Sequence, residues 1–124
     1  MALRQGEPVF VISVAARLLE MHPQTLRKYE REGLIAPSRT TGNLRLYSDR
    51  DIERLRQVKY LVEERGLNLA GVQLALELTR RLRDTRERTT RDLVAGRAAD
   101  APAMIEEFDR LLAVLGVLEE RRSL

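Results

Sequence analysis

Apolar residues recur at helical spacing in most of this chain, and the polar residues between them mark where the helices start and stop. Residues 9–12 form a short β-branched and aromatic run, too short to make a sheet alone. Ser13 reads as the N-cap of a first helix. In it Val14, Ala15, Leu18 and Leu19 share a face, and it ends near Met21. His22-Pro23 then breaks the chain, because a residue before proline avoids the helical region. Pro23 suits the opening turn of a second helix, which runs to Glu32 and closes on a left-handed Gly33. Residues 37–46, "PSRTTGNLRL", carry a turn signal in "TTGN" and predict a small two-stranded wing. Ser48 and Asp51 make a capping box for a third helix. That helix shows Ile52, Leu55, Val58 and Val62 on one side and stops at Gly66. Asn68 caps a fourth, with Leu69, Val72, Ala75 and Leu76 as its stripe.

The pattern then fades. Residues 79–92, "TRRLRDTRERTTRD", hold six Arg and three acids and almost nothing apolar. They predict either a solvated extension of the fourth helix or a linker, interrupted by "AGRAADAP". Asp100 caps a last helix with Pro102 in its first turn. Ile105, Phe108, Leu112 and Leu115 follow 3-4-3 spacing there, and Leu111, Val114 and Leu118 widen the stripe. A short helix is marginal alone, so this face must be buried against another copy or against the fourth helix of its own chain. The expected class is mainly α with a short β wing. The expected division is a first domain over 1–78, an arginine-rich segment over 79–100, and a dimerisation helix over 101–124.

The second helix is the one whose composition needs a reason. With Leu26 at the origin of a wheel of about 100° per residue, Tyr29 and Glu30 flank it and face inward. Gln24, Lys28 and Arg31 lie opposite, with Arg27 on one side and Thr25 on the other. Two short helices joined by a three-residue turn make a helix-turn-helix, in which the second enters the major groove of DNA. Arg and Lys pair with phosphate oxygens or with guanine, and Gln with adenine. The plain alternative is a solvated helix face. Arg39, Thr40 and Arg45, around the wing turn, are placed to meet a neighbouring phosphate or minor groove. For Tyr47 two readings stand: a phosphate donor, or a ring packed against the next helix. Ser13, at the start of the first helix, completes the candidate DNA contacts.

Charge sharpens this picture. The chain of 124 residues carries a net +3, but residues 1–60 hold 11 Lys/Arg against 7 Asp/Glu, and the remainder 11 against 12. The basic half is the half with the candidate interface, which points to an anionic partner. Only five residues are aromatic, so the core is built from Leu, Val, Ile and Ala, and stacking on single-stranded RNA is disfavoured. With no cysteine there is no disulfide or thiolate site, and the lone His22 is a turn residue near a helix cap. No nucleophile–base set, P-loop or dinucleotide fingerprint occurs, so neither an enzyme nor a cofactor is expected. No apolar run is long enough to span a bilayer and no secretory signal is evident. A cytoplasmic protein is expected.

The stretch "ISVAARLLEMHPQTLRKYEREGLIAPSRTTGNLRLYSDRDIERLRQV" resembles the winged helix-turn-helix of the MerR transcription regulators, most of all in "TLRKYEREGL", the following Pro, and "RLYSDRDIERL". The resemblance covers residues 10 to about 76. "HPQTLRKYEREGL", "SRT" and "GLNLAGVQ" are similar to the heat-shock repressor branch, HspR. It implies a recognition helix with Thr25, Arg27, Lys28 and Tyr29 at or near DNA. It also implies backbone contacts from Arg39 and Arg45, supported by Tyr47. It further implies a homodimer on an inverted repeat of double-stranded DNA, joined through antiparallel C-terminal helices, a role that residues 101–121 match in pattern. The Hsp70-type chaperone DnaK is the implied co-repressor. The absence of sensor cysteines, and a chain ending at Leu124 without a large ligand domain, agree with a regulator whose signal is another protein. Two rivals remain: an activator that distorts promoter DNA, and an adaptor that docks a protein through the arginine-rich segment and last helix.

Overall fold

The computed structural model describes residues 7–97 and 99–117. Among these residues five helices and three short strands follow in the order β1 (Pro8–Val11), α1 (Ile12–Leu19), α2 (Pro23–Arg31), β2 (Ser38–Arg39), β3 (Arg45–Ser48), α3 (Asp49–Glu63), α4 (Leu69–Val94) and α5 (Ala101–Val114). The chain divides into two compact units, Met1–Tyr60 and Leu61–Leu124.

In the first unit the wing is larger than its own turn predicts. The short run at the N-terminus is recruited as a third strand, giving an antiparallel sheet of order β1-β3-β2. Phe10 lies opposite Tyr47 and Val11 opposite Leu46, while Arg39 lies opposite Arg45. Pairing through Val11 carries the chain straight from strand to helix. Val11, not Ser13, therefore occupies the N-cap of α1, with no side-chain cap. Ser13 sits exposed within the first turn, and its expected capping role is corrected for that reason. The buried face of α1 is also rotated: Ala15, Ala16 and Leu19 are buried, whereas Leu18 is 43% exposed. At the wing tip Asn43, not Gly42, takes the left-handed conformation (φ 67°), which Asn tolerates through local hydrogen bonding.

The capping box at the head of α3 forms in both directions. Ser48 N–H donates to Asp51 Oδ2 at 2.9 Å, and Asp51 N–H donates to Ser48 Oγ at 3.1 Å. Two cations of α3 then hold the helix-turn-helix by its backbone. Lys59 Nζ donates to the Leu19 and Glu20 carbonyls at 2.9 and 3.3 Å. Arg54 Nε donates to the Leu34 carbonyl at 2.6 Å.

In the second unit, Asn68 caps α4 by accepting from Gly71 N–H at 2.9 Å. Residues 79–92 are helix throughout: α4 runs unbroken to Val94. Asp100 occupies the N-cap of α5, but its side chain makes no capping bond. α5 folds back on α4 of its own chain, and Arg86 Nε pairs with Asp109 at 2.6 Å across that hairpin. Leu112 is fully buried within its own chain, so it is corrected from a dimer contact to a residue of the internal core. Ile105, Phe108 and Leu115 are half-buried. Leu111 and Val114 keep 41% and 54% exposure, with Met104 beside them in exposure at 44%. Leu118 lies outside the described residues. Among the described residues no helix is long and apolar enough to cross a membrane.

Candidate nucleic-acid interface

Nine residues with a single aliphatic anchor form α2 because both ends are closed. His22 is the N-cap, its Nδ1 accepting from Gln24 N–H at 3.0 Å. Pro23 opens the helix with the φ it already holds. At the far end Gly33 (φ 79°) lets Leu34 N–H reach the Tyr29 carbonyl and its own N–H reach that of Glu30. These two bonds make a Schellman close. Leu26 and Tyr29 are buried beneath.

The remaining faces divide as the wheel predicts. Gln24, Lys28 and Arg31 are exposed, and Thr25 and Arg27 half-exposed. Arg27 Nη1 donates to Gln24 Oε1 at 3.2 Å, so the amide and the guanidinium lie together on that surface. Tyr29, expected at or near DNA, is 6% exposed; its ring is part of the support, corrected because it lies on the Leu26 side of the helix. Ser13 is exposed and lines a shallow hollow with Arg17, His22 and Pro23, beside the start of α2.

The wing does not hang free of this helix. Glu30 receives Arg39 Nη2 on one carboxylate oxygen and Arg45 Nε on the other, both at 2.6 Å. The hydrogen bond from Arg45 most, and that from Arg39 next among the attractions, hold the Glu30 carboxyl below its ordinary range against a counteracting burial. The same bond raises Arg45. Arg39 also donates from Nη1 to the Asn43 carbonyl at 3.3 Å. The Thr40 hydroxyl oxygen accepts from Leu44 N–H at 3.1 Å and so holds the exposed turn. Tyr47 is fully buried, and its hydroxyl has no hydrogen-bond partner among the described residues. It cannot donate to a phosphate, so the packing reading replaces the contact reading. Burial is what pushes its phenol up.

Three residues of this site were not singled out from the sequence. The helical wheel marks Glu30 only as an inward flank, and no sequence pattern marks Lys59 or Arg54. Their partners lie 9 and 15, 40, and 20 residues away. Helical spacing carries no signal at those separations.

A cationic helix face on a helix-turn-helix, with a β wing fastened beside it, defines a protein of the class that reads duplex DNA. Residues 10–79 match the model of the MerR HTH family of regulatory proteins, and the chain belongs to that family. It is 48% identical over 102 residues to a heat shock protein of Streptomyces coelicolor named HspR, covering 82% of this chain and 67% of that one. It is 37% identical over 73 residues to the transcriptional regulator GlnR of Bacillus cereus, covering 59% of this chain and 56% of that one. The transcriptional regulator MlrA of Escherichia coli is 36% identical over 69 residues, 55% of this chain and 28% of its own length. The chain is a MerR-family transcriptional regulator similar to HspR.

Proposed function

We propose that this regulator is a repressor of heat-shock and chaperone genes that binds inverted-repeat operators as a homodimer, with an Hsp70-type chaperone such as DnaK as co-repressor. The observation that carries the DNA side is the outward set Gln24, Arg27, Lys28 and Arg31 on a capped helix whose opposite face is buried. The similarity to a protein named for heat shock supports the choice of genes. Lys28 and Arg31 meet phosphates or guanine, Gln24 and Arg27 act at base edges, Thr25 and Ser13 add backbone contacts, and the wing presents Arg45, Arg39 and Thr40 to the flanking backbone. Two such surfaces on one dimer see a palindrome at high effective concentration, which lifts avidity above that of either half. Occupying a promoter in this way excludes polymerase. Loss of the chaperone to unfolded clients relieves the block.

The first test is selection of bound fragments from genomic DNA with and without purified DnaK, followed by a salt titration on the enriched duplex. Fragments upstream of chaperone operons, held more tightly with DnaK, are expected. Binding that ignores salt would contradict phosphate contact. Replacing Arg27 and Lys28 together by Ala is expected to lessen the slope of log affinity against log salt by about 1–2. Unchanged binding would mean that α2 does not face DNA. In a deletion strain a repressor gives raised chaperone transcripts and an activator gives silence.

A further inference from the structure

Glu30 is an acid at the edge of a surface otherwise given to cations. Its carboxylate bonds one wing arginine through each oxygen. The three side chains are 22–32% exposed. Short charge-assisted bonds in such partly covered sites are stronger and more directional than neutral ones. The two arginines are used differently. Arg39 is tied at both ends, by Nη2 to Glu30 and by Nη1 to the Asn43 carbonyl in the wing turn. Arg45 gives Glu30 only its Nε, so both terminal nitrogens are without a partner among the described residues. They keep four of the five N–H donors of a guanidinium.

This arrangement has a geometric and an electrostatic consequence. β2 is only two residues long, and so short a hairpin is not rigid alone. Tying it to α2 makes wing and helix approach a duplex as one body. The carboxylate also offsets one of the two wing charges. If an ill-fitting duplex drew the arginines to its phosphates, a bare carboxylate would be left facing a polyanion.

We propose that Glu30 is the positioning residue that sets specificity at this interface: it locks Arg39 and Arg45 to the recognition helix and penalises phosphate contacts made out of register. The assignment rests on the DNA-binding reading above. On a matching duplex the clasp stays closed and the open donors of Arg45 meet the backbone. Without the carboxylate the arginines swing freely and bind phosphate wherever it lies.

The test uses the full chain, a duplex selected by the wild-type protein from a randomised pool, and a shuffled duplex of the same composition. For Glu30→Gln, affinity for the shuffled duplex is expected to rise several-fold. The selected-to-shuffled ratio should fall about tenfold, and the salt slope should steepen by about 1 for each bound subunit, the worth of one more phosphate neutralised per copy. In a background carrying Arg39→Gln and Arg45→Gln, the same substitution should change neither ratio nor slope. A purely structural role would lower the melting temperature and weaken both duplexes by one factor at constant slope. That result overturns the assignment, as does an effect that persists without the arginines. Should Glu30→Gln fail to fold by circular dichroism, Glu30→Asp carries the test. It keeps the charge but shortens the reach, so a reduced ratio at wild-type slope is expected, and a wild-type ratio refutes the proposal. Failure of the wild-type protein to enrich any duplex would sink the DNA reading itself, and is seen before any variant is made.

Discussion

Glu30 also makes the protein's response to acid predictable. Arg45 and Arg39 hold its folded-state carboxyl below the ordinary value of 4.5. A depressed acid stabilises the fold fully above its unfolded pKa, and the contribution disappears as pH falls through the lower folded value. The wing clasp is therefore expected to be intact at neutral pH and lost only below about pH 4.5. Thermal melts in an acid series should show a loss of stability there that is smaller in Glu30→Gln. Equal losses in both proteins would place the acid-sensitive group elsewhere. The outward position of Gln24, Lys28 and Arg31 was legible at this scale, since a wheel needs only spacing. The clasp was not, because it depends on a turn that returns the chain to α2. Tyr47 was half legible: its sequence position allowed surface or core, and its pairing opposite Phe10 on the middle strand accompanies complete burial.

Helix ends show how one element corrects another. α2, α4 and α5 each end at a glycine with positive φ: Gly33, Gly96 and Gly116. α1 closes instead on Glu20, at φ 54°, where a side chain costs about 1–2 kcal/mol relative to an ordinary backbone. Lys59 offsets this by donating to the Leu19 and Glu20 carbonyls at the negative end of the helix dipole. Lys59→Met should thus destabilise by about 1–2 kcal/mol, a range reduced for partial exposure, and loosen the turn that leads into α2. Chemical denaturation would measure the loss, and a change within experimental error would refute it. The arginine-rich stretch of α4 was ambiguous because it lacks an apolar stripe. It stays helical through local pairs such as Arg81–Glu77 at 2.9 Å. The Thr79, Thr85, Thr89 and Thr90 hydroxyls each donate to the carbonyl four residues back, and α5 packs alongside.

At the scale of the whole molecule, α5 has one side covered and one side open. One side is spent inside the chain, through Leu112 and the Arg86–Asp109 pair. Met104, Leu111 and Val114, spaced by seven and three residues, remain exposed on one side. On the proposed dimer reading this is the face left for a second copy. Leu111→Glu with Val114→Glu should then yield a monomer by sedimentation while leaving the helical spectrum intact. Operator affinity should fall by about 100-fold or more as avidity is lost. A variant that still sediments as a dimer would move the interface elsewhere.

By itself the sequence determined most of the helices, the closed ends of α2, the caps at the heads of α3 and α4, and the cationic face of α2, because these depend on neighbours three or four residues apart and on the preferences of Pro, Gly, Ser and Asn. The MerR-like order of motifs was legible for the same reason: it is written in local spacing. Only the tertiary structure decided which side of α1 is buried, that residues near the N-terminus complete the wing, that Leu112 is internal, and that Glu30 clasps Arg39 and Arg45. Each of these depends on which distant segments meet, and that is fixed by how all the apolar faces are buried together.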